Sequence, residues 1–205
     1  EMDCHMLEAA LSDNLPLTLA LLSYWDMTQL SIRSHCLLPY DERLRELVPW
    51  LQQLEMESLG KSSGLDGCDI KGPTGQAVWG GNGNESQHSF YQWLRAGSVR
   101  SSMDLVWCAK SGHSHAHHHD VLTANARAQA EALIHRENES GHYFNAVSTI
   151  EIDELTPKTL GALMAMYEHK TTMLATLFGI NAFDQPGVEY GKKLCREIEA
   201  KMRGE

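Results

Sequence analysis

Apolar residues recur every three or four positions in some stretches of the chain and run consecutively in others, so helices and short buried strands are expected to alternate. Pro16 to Ile32 reads as a largely buried helix, with proline at a tolerated first position. His35 to Pro39 is a strand-like run. A helix is expected over Asp41 to Glu57, where Leu44, Leu47, Trp50, Leu51 and Leu54 share one face, and Pro49 predicts a kink. Ser58 to Gly75 holds five of the sixteen glycines and reads as a loop. Ala77 to Trp79 is a brief strand, Gly80 to Gly83 a glycine-rich turn, and Asn84 to Ala96 a helix stopped by Gly97. Met103 to Cys108 and Ala146 to Ile152 read as strands, and Asp120 to His135 as a helix with an alanine-rich face. Thr156 and Pro157 start a helix whose stripe of Leu160, Leu163, Met164, Tyr167, Leu174, Leu177 and Phe178 ends at Gly179. A final helix runs from about Gly187 to Met202. Short strands between helices predict an α/β chain, a three-layer αβα sandwich around a mostly parallel sheet.

Composition narrows the partners. A chain of 205 residues, 42% apolar and 21% charged, can bury a real core. Seventeen basic against 27 acidic side chains give a net charge of −10, which argues against a nucleic-acid backbone as the main partner. The longest apolar run, Leu15 to Trp25, is broken by Thr18 and Ser23, so no membrane span is expected. No basic leader with a small-residue cleavage site precedes it, so no signal peptide is expected either. Cys4, Cys36, Cys68, Cys108 and Cys195 form no CxxC pair, as suits a reducing cytoplasm. The chain opens at Glu1, inside what reads as a helix-rich region, and is expected to be a fragment of something longer.

Three segments carry candidate chemistry. In Phe183 to Lys192 (FDQPGVEYGK), Pro186 and Gly187 turn into a helix that places Gln185 and Lys192 at its start. A neutral donor and a cation there suit an anionic or polyhydroxyl ligand, although a capped helix with a solvated lysine fits the same residues. In Trp79 to Phe90 (WGGNGNESQHSF), a glycine-rich turn exposes backbone amides, and His88 is available as an acid or base near neutral pH or as a satisfied structural group. His113, His115, His117, His118 and His119 fall within seven residues; they read as a solvated loop, with adventitious zinc or nickel binding as the alternative.

The chain resembles the glucose-6-phosphate isomerase (phosphoglucose isomerase) family. FDQPGVEYGK is similar to the family's C-terminal pattern FDQ-x-GVE-x-GK, and LPYDERLRELVPWLQQLEMESLGK to its LPYD…QQ-x-x-MES-x-GK segment. GPTGQAVWGG…QHSFYQWLRAG, HHHDVLTANARAQAEAL and LTPKTLGALMAMYEHK resemble further family blocks, in family order, over most of Met2 to Lys192. The resemblance implies interconversion of glucose 6-phosphate and fructose 6-phosphate by an enzyme that is cytoplasmic, glycolytic and gluconeogenic, and homodimeric when complete. It also implies two sugar-isomerase (SIS) domains. This chain would hold mainly the second: a helical lead-in over 1–33, the α/β domain over 34–180, and the signature loop and helix over 181–205. Residue by residue, Glu57 matches the catalytic carboxylate, His88 the ring-opening histidine supplied across the dimer interface, Gln185 a substrate-contacting glutamine, and Lys192 the active-site lysine.

The residue types suit the reaction. One carboxylate on the face of a planar cis-enediol can carry a proton between C1 and C2, and a histidine titrating near neutrality can move protons as the sugar ring opens. A general base and preorganised charge suffice, so neither metal nor cofactor is expected. The chain departs from the family's WGEPGTNGQH at Gly81, Asn82, Asn84, Glu85 and Ser86, and reads MESLGK where MESNGK is common. It also lacks the family's GGR arginine motif and its Ser/Thr-rich phosphate loop, so residues 1–205 alone are expected to be inactive. The rival readings are a noncatalytic SIS-type sugar-phosphate binding module and a His-rich metal-binding protein.

Overall fold

The computed structural model describes residues 1–138 and 141–204. Helix α1 (Met2–Glu8) and a 3-10 turn lead into α2 (Leu15–Thr28), then strand β1 (Ser34–Pro39). After a second 3-10 turn at Glu42–Leu44 comes α3 (Leu47–Leu51), which widens into a π-helical segment over Gln52–Glu57. There follow β2 (Ala77–Gly80), α4 (Gly83–Ser86), α5 (Tyr91–Ala96), β3 (Ser102–Cys108) and α6 (Ala116–Ile134). A hairpin of β4 (His135–Asn138) and β5 (Gly141–Phe144), β6 (Val147–Ile152), α7 (Pro157–Phe178) and α8 (Pro186–Arg203) complete the chain.

The sheet is parallel throughout, in the order β2-β1-β3-β6. Parallel strands need both faces covered, and the residues supply both. All seven positions of β3 are buried. Its Val106 and Cys108, with Leu37, Val78 and Ile152, pack under α3 and α7 through Leu47, Leu51, Leu163, Met166 and Tyr167. The alternate positions, Met103, Leu105 and Trp107 with Cys36 and Leu38, meet Tyr91, Leu94, Ala126, Ala130 and Leu133 from α5 and α6. Helices on both faces give the expected three layers. The small alanines of α6 allow its close approach to the sheet, and a mutual cap between Thr156 and Thr159 starts α7. Gly179 ends α7 at φ 66°, where any side chain would be strained.

Several boundaries differ from those expected. The helix expected over Asp41 to Glu57 breaks in two because the Asp41 carboxylate accepts the Arg43 amide at 3.0 Å and tightens residues 42–44 into a 3-10 turn. Pro49 thus falls in the first turn of α3, where it needs no kink. The helix expected over Asn84 to Ala96 is likewise two helices. Phe90 leaves helical geometry at φ −129° and turns its ring edge to Trp79, with centroids 4.8 Å apart. Helix α6 starts at Ala116, so His117, His118 and His119 are in its first turn and not in a loop. The antiparallel pairing of β4 with β5 was not anticipated.

Charge is buried beneath the α7 side of the sheet. Lys170 of α7 donates to Glu55 at 2.8 Å, with both side chains almost wholly enclosed. Burial opposes the Lys170 cation, but Glu55 first and then Asp104 outweigh it and hold its pKa above the usual lysine value. Asp104 in turn accepts the Tyr167 hydroxyl at 2.9 Å and lies 3.3 Å from the His35 ring. Removing one member of such a pair leaves an uncompensated charge in the interior. Lys170→Met is expected to destabilise the fold by about 3–5 kcal/mol in urea unfolding, and the double change Lys170→Met with Glu55→Leu to recover more than half of that loss.

Candidate active site

Glu57 ends the π-helical segment, and local geometry explains how it reaches the surface. Leu51, Glu55 and Leu59 are all buried, at steps of four. A regular α-helix turns about 100° per residue, so positions eight apart would fall roughly 80° out of line. The wider π turn takes back that drift and keeps the three facing inward. Glu57, two residues past the anchored Glu55, is left half-buried at the rim. Thr74, just before β2, holds the next residues: its Oγ1 meets the Leu59 carbonyl and accepts the Lys61 amide at 3.3 Å. Glu57 therefore stands at the N-terminal edge of the sheet.

The signature segment comes to the same edge. The Leu65 amide donates to Gly179 O at 2.8 Å, tying the 60–75 loop to the end of α7. Asn181 forms a turn by accepting the Phe183 amide at 3.0 Å and donates to Asp184 Oδ2 at 3.2 Å. Lys61 Nζ reaches across to donate to the Asp184 carbonyl at 2.7 Å. Gln185 is the N-cap residue of α8, yet its exposed side chain caps nothing. Lys192 pairs with Glu189 at 2.7 Å; that carboxylate first, with a further contribution from Glu57, raises the lysine's pKa. A cleft of about 440 Å³ runs between the loop and the signature, lined by Lys61, Ser62, Asn181, Asp184 and Gly187 among others. Glu57, Gln185 and Lys192 thus share one edge of the sheet, with the Lys192 cation near enough to Glu57 to feel its charge.

His88 is elsewhere. It is exposed in the turn between α4 and α5, after β2 has crossed to its C-terminal edge. That turn is built tightly. Gly80 has φ 145° and would drive a Cβ into the Leu37 carbonyl, and a Cβ on Gly83 would collide with the Tyr40 ring. The substituted residues are used: Asn82 accepts the Asn84 amide at 3.1 Å as the cap of α4 and donates to Glu42 at 3.0 Å. Within one chain, the structure does not bring His88 to Glu57.

A phosphoglucose isomerase family model matches residues 1–205, the whole chain. The chain belongs to the phosphoglucose isomerase family. Glucose-6-phosphate isomerases of Bordetella petrii and Bordetella pertussis are 39% and 40% identical to it over 96% of its length. The chain spans only 42% of each of those proteins. A crystal structure of a glucose-6-phosphate isomerase from Chlamydia trachomatis superposes with a TM-score of 0.86 at 32% identity, covering 98% of this chain and 41% of that one. The Thermus thermophilus protein described as hypothetical protein TT0462 superposes with a TM-score of 0.78 at 30% identity, over 97% of this chain and 48% of its own.

Sequence reasoning on this chain missed the residues that hold the candidate site. Lys61 was visible as the last letter of MESLGK, and Asp184 as the second of FDQ, but nothing in either motif says that they meet. The histidine cluster follows β3 at the C-terminal edge, the edge that also carries His88, with the His113 and His115 ring centroids 5.7 Å apart. Among the described residues, no three His, Cys, Asp or Glu side chains converge as cation ligands. No helix among them is long and apolar enough to cross a membrane.

A separate cavity of about 240 Å³ lies at the starts of β1, β3 and β6, lined by Asp26, His35, Ser102, Asp104 and Lys170 among others. Asp104 loses solvation there, but the His35 ring, Lys170 and the Tyr167 hydroxyl outweigh that loss and bring its carboxyl to about 2. Asp26 is dominated by burial, which His35 and Lys170 only partly offset, and it rises from 3.8 to about 6. The folded chain therefore binds the Asp26 proton more tightly than the unfolded chain, and this contribution to stability is lost as pH rises from about 4 through 6. Asp104 acts in the opposite sense, and only below its unfolded value near 3.8. Asp26→Asn is expected to be more stable than the parent by about 1–3 kcal/mol at pH 7. That advantage should vanish by pH 4, read from urea unfolding of both proteins across the range.

Proposed function

We propose that residues 1–205 form the C-terminal portion of a glucose-6-phosphate isomerase that interconverts glucose 6-phosphate and fructose 6-phosphate through a cis-enediol. The observation that carries this reading is the convergence of Glu57, Gln185 and Lys192 on one edge of the sheet, in a chain matched along its whole length by the family model. Glu57 is the base that takes a proton from one carbon and returns it to the next. Lys192, held protonated by its acidic neighbours, offers its positive charge to the developing enediolate, and the uncapped Gln185 amide is free to bond a sugar hydroxyl. In this assignment 34–180 is the second SIS-type domain, flanked by a helical lead-in and the C-terminal signature. Segments outside the chain supply the arginine and the phosphate loop.

The position of His88 favours a homodimer. A ring-opening histidine on the edge opposite the base cannot serve that base in its own chain, so the partner's copy must serve it. We place the complete enzyme in the cytoplasm and in glycolysis and gluconeogenesis, on the strength of the family resemblance. A sugar-phosphate binding module without catalysis has no use for a half-buried carboxylate facing a protonated lysine.

In the complete enzyme, Glu57→Gln is expected to keep the fold and lower kcat by about 10³-fold, with exchange of the substrate C2 hydrogen into solvent lost alongside. Isomerisation at the parental rate would show that another group is the base. His88→Ala is expected to slow turnover of the ring-closed sugar phosphate far more than that of the open-chain form. Equal losses on both would make His88 a structural residue.

A further inference from the structure

The proposed base and the proposed binding groups sit on separate segments, and a single cation joins them. Lys61 Nζ donates to the Glu57 carbonyl at 2.7 Å and to the Asp184 carbonyl at 2.7 Å, and lies 3.5 Å from Asp184 Oδ1. The first is one of the free carbonyls at the negative end of the Glu57-bearing helix, where a cation is favoured. The second is the peptide oxygen immediately before Gln185. Two of the three ammonium protons are given to carbonyls, and the carboxylate oxygen stands beside them at ion-pair distance. The side chain is only 8% exposed, against 60% for Lys192, so this is an enclosed bridge and not a solvated surface lysine. Both ends of the bridge are themselves fixed. The Lys61 amide is bonded to Thr74, and the second oxygen of the Asp184 carboxylate takes the Asn181 amide. Beyond Asp184 the signature has little else to steady it, for residues 187–199 of α8 are all exposed.

We propose that Lys61 is a positioning residue: it fixes the backbone of Glu57 against the start of the Gln185–Lys192 signature, and so sets the distance between the base and the groups that face it. This deepens the isomerase reading and rests on it for its kinetic consequence. Lys61 touches no reacting atom. Misplacing a base by about 1 Å can cost on the order of 10²-fold in rate while leaving binding much less affected. A methionine keeps the length and apolar bulk of the lysine stem but gives no protons. An arginine keeps the charge and several donors.

Two measurements test this. The first is hydrogen exchange of residues 181–192 in the 205-residue chain. Lys61→Met should speed exchange there while leaving the amides of β3 and α7 at parental rates, and Lys61→Arg should restore much of the protection. Unchanged exchange in 181–192 would overturn the bridge whatever reaction the enzyme performs. The second is steady-state kinetics of the complete enzyme. Lys61→Met should lower kcat by about 10²-fold with KM within a few-fold of the parent, and should cost nothing further in a Glu57→Gln background. A kcat within three-fold of the parent, or the same loss with and without Glu57, would overturn the positioning role. A complete enzyme that fails to isomerise at all would sink the functional reading, and the exchange measurement would still decide whether Lys61 joins the two segments.

Discussion

An ion pair taken out of water, Lys170 with Glu55, fixes where the proposed base can stand. A buried pair of this kind contributes little net stability but tolerates few alternative arrangements, because any shift strands a charge. Here it pins the π-helical segment to α7 two residues before Glu57. The same lysine faces Asp104, which is also bound to Tyr167 of α7 and lies beside His35 of β1. One polar network thus ties the first helix layer to the middle of the sheet, and the rim carboxylate inherits its position from that network. The adjoining cavity has a cost: Asp26 sits in it with a carboxyl that burial renders half-reluctant to ionise.

The two edges of the sheet do different work. At the C-terminal edge, Gly80 and Gly83 let the backbone pass against Leu37 and Tyr40, and the turn that follows holds up His88. At the N-terminal edge, helix ends and loops are drawn together by directional bonds from Thr74, Asn181 and Lys61. A chain whose proposed acid–base groups lie at opposite edges does not complete the proposed site by itself. Joining the edges of two copies is the simplest way to make those groups meet, and this is how the geometry of a single chain bears on the proposed assembly.

How much of this was legible in the sequence depends on the kind of interaction involved. Strands such as Met103 to Cys108 were readable because a parallel strand buried on both faces is mostly apolar, here with Asp104 as the one exception, and α7 because a Thr-Pro start and a glycine stop mark it at both ends. The break at Asp41 was not, because a side chain capping its own backbone two residues on competes with a helical pattern that looks unbroken. Nor was the divided helix around His88, where packing of Phe90 on Trp79 overrides local propensity. The π turn was hidden for a different reason. Its cause is a buried Glu55 at the spacing of leucines, and a glutamate in a sequence reads as surface until its lysine, 115 positions away, is found beside it. The motif resemblance singled out Glu57, His88, Gln185 and Lys192 as candidates, but a motif does not say which edge of the sheet each of them occupies.

Helix α8 shows why directional bonds matter so much at this site. Its apolar stripe of Val188, Leu194, Ile198 and Met202 is exposed, so burial does not seat the helix on the body of the chain. Apolar packing is strong but tolerant of small slides, whereas an enclosed ammonium between two carbonyls and a carboxylate accepts few positions. With Gln185 at the start of this helix and Lys192 two turns along it, the Lys61 bridge at its root fixes the point from which both side chains project. The bonds at that root are few and polar, and so the spacing between Glu57 and its facing groups depends on hydrogen-bond lengths more than on buried area.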